Sequence, residues 1–173
     1  LHNHSQFSIL QSTISVKKLV NATAKAGMTS VALTDHGNMM GAFHFVKEIS
    51  QHNKNLALAE KEAAASGEPF NQKPIKPIVG CEFFVCDDHS NKSQKDNGYQ
   101  IVFLAKNKKG YQNLVKMSSL AFTDGFYYVP RIDRKIVETY KDNLVVLSGN
   151  LHGEVPAKVL NIGENQAEEA LMW

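Results

Sequence analysis

Ser30-Val31-Ala32-Leu33-Thr34-Asp35-His36-Gly37-Asn38-Met39-Met40-Gly41-Ala42-Phe43 is the stretch on which the fold turns. Its opening, Ser30 to Thr34, is apolar and β-branched and reads as a strand. Asp35-His36-Gly37-Asn38 then ends the strand in a polar turn. From near Met39 onward, Ala42, Phe43, Val46 and Ile49 recur at helical spacing. Strand, polar turn and helix in succession are the repeating step of parallel α/β proteins. Functional groups in such folds collect at the C-terminal ends of strands, where His36 falls.

The same step recurs on both sides. Upstream, Ser15 is placed to cap a helix over Val16 to Ala26, with Val16, Leu19, Val20 and Thr23 on one face and Gly27 in the stop position. Downstream, residues 51 to 73 are polar and rich in Ala, Glu and Lys, which predicts a helical extension and loop inserted between two core units. Lys76 to Val85 reads as a buried strand, Asp87 to Gly98 as a polar loop, and Tyr99 to Ala105 as the next strand. A helix follows Asn107 with Tyr111, Leu114, Val115 and Ser118 on one stripe. Asp133 to Tyr140 predicts a short helix, Asn143 to Leu147 a strand, and residues 155–160 and 166–172 two more short helices. The alternation predicts an α/β domain with a mainly parallel sheet, open or curled into a barrel.

The chain has 173 residues, 43% hydrophobic and 21% charged, enough for one domain with a true core. A formal net charge of +2 gives no global field for nucleic acid, so such a role would rest on a local patch. Cys81 and Cys86 lie five apart and face opposite sides of a strand, which argues for reduced thiols. No run of eighteen apolar residues occurs and no basic-then-apolar signal precedes His2, so a cytoplasmic protein with no membrane partner is expected. The H-x-H at one edge and an amphipathic helix reaching Trp173 at the other suggest a piece of something longer.

Chemistry concentrates in a few residues. His2 and His4 stand at i and i+2, which in a strand turns both to one face, roughly 6.6 Å apart, so that one cation could lie between them. Glu82 shares a face with Ile78, Gly80 and Phe84, and a buried carboxylate needs a cation or strong donors to offset its desolvation. His2, His4, His36 and Glu82 are therefore the candidate metal ligands, with Asp35 behind them as a supporting group or as the cap of the next helix. His44, His52, His89 and His152 read as surface or capping residues, and Lys106, Lys108 and Lys109 as a solvated basic turn. No P-loop, dinucleotide fingerprint or nucleophile elbow is present.

With those residues in place, the chain resembles the polymerase and histidinol phosphatase (PHP) family, most closely the branch that forms the N-terminal domain of bacterial replicative DNA polymerase III alpha subunits. The resemblance rests on His2-Asn3-His4-Ser5, Val31 to Asn38, Lys76 to Glu82, Leu104-Ala105-Lys106-Asn107, Gly125-Phe126-Tyr127-Tyr128, and Leu147-Ser148-Gly149 with Gly153-Glu154. It implies a distorted seven-stranded (β/α) barrel of the TIM-like type, with up to three divalent metals at the strand ends. Residues 1–173 would be an incomplete form of it, with the rest of the PHP domain and the polymerase domains beyond. The resemblance further implies a parent chain that performs DNA-templated DNA synthesis in replication. Its partners would be a proofreading 3′-5′ exonuclease subunit, the clamp and clamp loader, and DNA.

Three positions depart from the family pattern. Gln11 stands where metal-bearing relatives have Asp, Gln100 where they have His, and Asn150 where they have Cys. Two dications about 4 Å apart repel by roughly 16 kcal/mol at an effective dielectric of about 20, so a cluster needs anionic ligands. Amides at these positions remove two negative charges and one imidazole. The expectation is a degraded site that holds at most one divalent ion (Zn, Mn or Mg) rather than three, in a domain that serves as a scaffold. The alternative is an active metal-dependent phosphoesterase or 3′-5′ exonuclease.

Overall fold

The computed structural model describes residues 1–173. Helix α1 (Val16–Lys25) starts at Ser15, whose side chain accepts a hydrogen bond from Lys18 N–H, and leads into β1 (Ser30–Leu33). Next comes α2 (Ala42–Ser66), a continuous helix of 25 residues. Residues 51–66 are thus helical, and Gly67, at φ 74°, adopts the left-handed conformation that ends the helix. Strands β2 (Lys76–Cys86) and β3 (Tyr99–Ala105) precede α3 (Lys108–Thr123), β4 (Arg131–Asp133), α4 (Arg134–Tyr140) and β5 (Leu144–Leu147). Helices α5 (Glu154–Asn161) and α6 (Glu164–Met172) close the chain.

β2 is the spine of the sheet. Along one edge it pairs in parallel with β1, Leu33 against Val79, and then with β4, Phe84 against Arg131. Its other edge carries β3, which pairs antiparallel with Glu82 opposite Val102, and β3 in turn pairs antiparallel with β5. The sheet is therefore mixed, where the sequence predicts a mainly parallel one. The reason lies in the connection 87–98, which carries no helix. A parallel return needs a long crossover, so β3 comes straight back alongside β2. β4 has only three residues, too few to show a periodicity.

The two faces of the sheet bury different things. Cys81, Phe83, Val85, Ile101 and Phe103 pack on Leu114, Met117 and Ala121 of α3 and on Ile132, Ile136 and Val137. Here Tyr111 and Val115 stay about 40% exposed, so the buried stripe of α3 is rotated from the expected one. Asn107 sets that phase, because its side chain accepts from Lys109 and Gly110 N–H and fixes where the helix begins. A second core joins Val16, Leu19 and Val20 to Val31, Leu33, Phe45, Ile49 and Ile75. On the opposite, inner face only Ala32, Val102 and Leu104 form an apolar cluster, and Glu82 shares that face with them. Cys81 and Cys86 are both buried, free thiols. No helix is long and apolar enough to cross a membrane.

The 87–98 loop is held by two buried β4 residues. Arg131, fully buried, donates from its guanidinium to the carbonyls of Gly125, Asp96, His89 and Asn91, at 2.8–3.2 Å. Asp133 accepts from Ile136 N–H at 3.0 Å, capping α4, and pairs with His89 Nδ1 at 2.6 Å. Burial opposes ionisation of Asp133, but the His89 and Ile136 donors outweigh it and hold its pKa below the ordinary carboxylate value. Replacing Arg131 with Met should cost about 3 kcal/mol or more in urea denaturation, because four carbonyls lose a charged donor. A depressed native pKa stabilises the fold above the unfolded value of 3.8, and that gain is lost as the pH falls through the native value. The stability gap between wild type and Asp133→Asn should accordingly be full at pH 6 and shrink below about pH 4.

Candidate metal centre

Glu82 sits with no exposure in the middle of β2, and three imidazoles reach its carboxylate from two other segments. His2 Nε2 lies 2.9 Å from Oε1, His4 Nε2 3.0 Å from Oε2, and His36 Nδ1 2.6 Å from Oε2. His36 arrives because the β1–β2 register continues past β1: Glu82 N–H donates to the Asp35 carbonyl and Gly37 N–H to the Glu82 carbonyl. Gly37 takes φ 68° there, which suits a residue lacking Cβ. The Phe84 ring stands edge-on to the His36 imidazole at 4.5 Å and limits its rotation.

His2 and His4 do not lie on a regular strand, contrary to expectation. Residues 1–5 run along the free edge of β1, tied there by Asn3. Its N–H donates to Thr34 Oγ1, its carbonyl accepts from Thr34 N–H, and its side-chain amide donates to the Ala32 carbonyl. With Asn3 turned to β1, both flanking histidines face Glu82. The local alternation survives although the ladder is too short to count as a strand.

His2 Nε2, His4 Nε2 and Glu82 Oε1 are buried and have no hydrogen-bond partner, although the separations between them are short. The three donors lie within 4.8 Å of one another without the alignment of a hydrogen bond. Neighbouring ligands of an ion at about 2.1 Å stand roughly 3.0–3.4 Å apart, and His2, His4 and Glu82 lie close enough together to be a candidate set for one divalent cation. His36 is placed differently, as a hydrogen-bond partner of Glu82. Burial opposes ionisation of Glu82, yet the His36 hydrogen bond and the close imidazoles of His4 and His2 bring its pKa down to about 2. An ionised carboxylate accepts, so the His36 ring donates to it through Nδ1. Glu82 also raises the pKa of His4 above 6.5, against the desolvation that would lower it.

The other predicted positions separate. Gln11 is exposed in the turn after Ser8. Gln100 and Asn150 do come together, with Asn150 Nδ2 donating to Gln100 Oε1 at 3.3 Å, while Asn150 Oδ1 accepts from His152 N–H. The two amides thus bond to each other. Asp35 is buried but does not cap α2, whose N-cap is Gly41 without a side-chain bond. Its carboxylate instead accepts from Ser5 N–H, Ser5 Oγ and Ser8 Oγ. Sequence reading passes over Ser5 and Ser8, because two hydroxyls three residues apart carry no signature of their own.

Comparison with known families matches the PHP domain over residues 1–173. The chain belongs to the PHP domain family. This PHP domain is 37% identical to the DNA polymerase III subunit alpha of Chlamydia trachomatis, over 100% of the chain and 12% of that relative. It is 36% identical to the subunit of Treponema pallidum, over 98% of the chain and 13% of the relative. For Aquifex aeolicus the identity is 35%, over 98% and 14%. The chain therefore spans about an eighth of the length of these relatives.

In the metal-free PHP domain the Glu82–His4 attraction is fullest between the two ordinary values, 4.5 and 6.5. It weakens as acid titrates Glu82 toward about 2, and as rising pH passes the elevated His4 value. Glu82→Gln should bring the His4 pKa back toward 6.5 in a proton NMR titration run in EDTA. A value unmoved by that change would exclude Glu82 as the cause.

Proposed function

We propose that this PHP domain serves a replicative DNA polymerase of the polymerase III alpha type, as a scaffold retaining a reduced, single-ion metal centre. The parent chain would carry out DNA-templated nucleotidyl transfer in the cytoplasm, and these residues hold none of its polymerase machinery. The observation that supports the reading is a contrast: His2, His4 and Glu82 converge with unpartnered ligand atoms, whereas Gln100 and Asn150 bond to each other. The mixed sheet, with Glu82 on its inner face, is read as an incomplete, distorted (β/α)7 barrel.

One divalent ion, Zn, Mn or Mg, would be held by His2, His4 and Glu82, and when bound it would supply Lewis-acid polarisation of a phosphoryl oxygen. Glu82 provides the anionic charge, His36 holds that carboxylate in place, and the sheet excludes water behind it. Phosphoester cleavage by the family route needs a second positive centre for the leaving oxygen. The amide pair supplies no charge to hold one. The domain is thus read as a docking platform for the proofreading exonuclease, with the clamp, clamp loader and DNA engaged by the rest of the chain. The convergent His2–His4–Glu82 set also keeps open the runner-up, an active metal-dependent phosphoesterase or 3′-5′ exonuclease.

Elemental analysis of the full-length polymerase should give about one divalent ion at this domain, lost in His2→Ala and in Glu82→Gln. Adding back charge with Gln11→Asp, Gln100→His and Asn150→Cys together should raise the stoichiometry. Full-length protein freed of any exonuclease partner should not cleave single-stranded DNA through this pocket. Metal-dependent cleavage that His4→Ala abolishes would establish the runner-up instead.

A further inference from the structure

Asp35 is 2% exposed, and no Lys or Arg is bonded to it. A buried anion without a cation must be held by neutral donors, and this one has three: Ser5 N–H at 2.6 Å, Ser5 Oγ at 2.9–3.0 Å and Ser8 Oγ at 2.7 Å. The ordinary role for an Asp at a strand end, capping the next helix, is not the one it plays, since no side chain caps α2. The start of α2 instead seals the carboxylate off. A Cβ on Gly41 would lie 2.6 Å from Asp35 Oδ2, so the backbone packs against it where a larger residue would not fit.

The bonds of Asp35 lead to every segment that carries a group of the metal centre. Ser5 follows His4, and its N–H is the shortest of the bonds to Asp35. Ser8 Oγ, donating to Asp35, accepts from the backbone N–H of His36 at 2.9 Å. The Asp35 carbonyl accepts from Glu82 N–H at 3.1 Å. Ser12 Oγ adds a bond to the His4 carbonyl at 2.9 Å, closing the 5–12 turn on itself. The Asp35 side chain thus joins the 5–8 turn to the His36 segment, and its carbonyl joins that segment to Glu82.

We propose that Asp35 is the positioning residue of the centre: through Ser5 and Ser8 it fixes where His4 and His36 stand relative to Glu82. It touches no ion itself. Without it, residues 1–8 would keep the Asn3–Thr34 pairing but lose the constraint on the turn that follows His4. Partners that orient ligands in this way typically change metal affinity 10–100-fold when removed.

The inference rests on the single-ion reading for its metal-affinity arm only. Two variants, Asp35→Asn and Ser8→Ala, would be compared with wild type in the full-length protein, with folding checked by circular dichroism. In EDTA, nitrogen-15 NMR of the imidazoles should show a protonated, hydrogen-bonded Nδ1 at His36 in wild type. Asp35→Asn should lose it and also shift His4, while Ser8→Ala should disturb His36 alone. With metal added, Asp35→Asn should bind 10–100-fold more weakly. Imidazole signals identical to wild type in Asp35→Asn, or metal affinity within twofold, would overturn the proposal. Should wild type bind no metal, the single-ion reading fails and the EDTA spectra still decide the role of Asp35. Should Asp35→Asn not fold, an unaltered His36 signal in Ser8→Ala overturns the proposal.

Discussion

A carboxylate removed from water in the middle of a sheet is the constraint on which the rest of this structure turns. Desolvating Glu82 is costly, and no Lys or Arg offsets it. Three imidazoles must therefore be brought to one point, and the architecture supplies them by continuing the β1–β2 register through His36 and laying residues 1–5 along β1. Each arrangement would be pointless without the other. The ladder positions the backbone, and the carboxylate gives the imidazoles something to converge upon.

Around that point the polar groups divide into two kinds. Those near β1 and β2 are strongly organised, with Asp35, Ser5 and Ser8 forming a dry knot and His36 braced by Phe84. Those near β3 and β5 are weakly organised and neutral, since Gln100 and Asn150 answer each other at 3.3 Å. The first group includes the convergent His2, His4 and Glu82, and the second carries no charge.

The 87–98 loop is shaped by a different device. Arg131 gathers the carbonyls of the 87–98 loop, and Asp133 with His89 pins the same loop to α4. Buried charges are used here to hold irregular backbone where regular pairing is not available. β4 contributes little to the sheet by length, but its two charged residues give the loop its form.

Local sequence signals carried every element but β4, the capping of α1 by Ser15, the strand end that carries His36, and the choice of His2, His4 and Glu82 as candidate ligands. These are local properties: periodicity, turn chemistry and an acid inside an apolar run are all visible without knowing what lies across the sheet. The family followed from the same short phrases. Only the tertiary structure decided that β3 runs antiparallel to β2, that His2 and His4 lie on an edge segment rather than a strand, and that His36 braces Glu82 through Nδ1. It alone placed Asp35 against Ser5 and Ser8 instead of at the start of α2. Such choices depend on which groups 27 to 46 residues apart are left to satisfy one another once water is excluded. No window along the chain contains both partners.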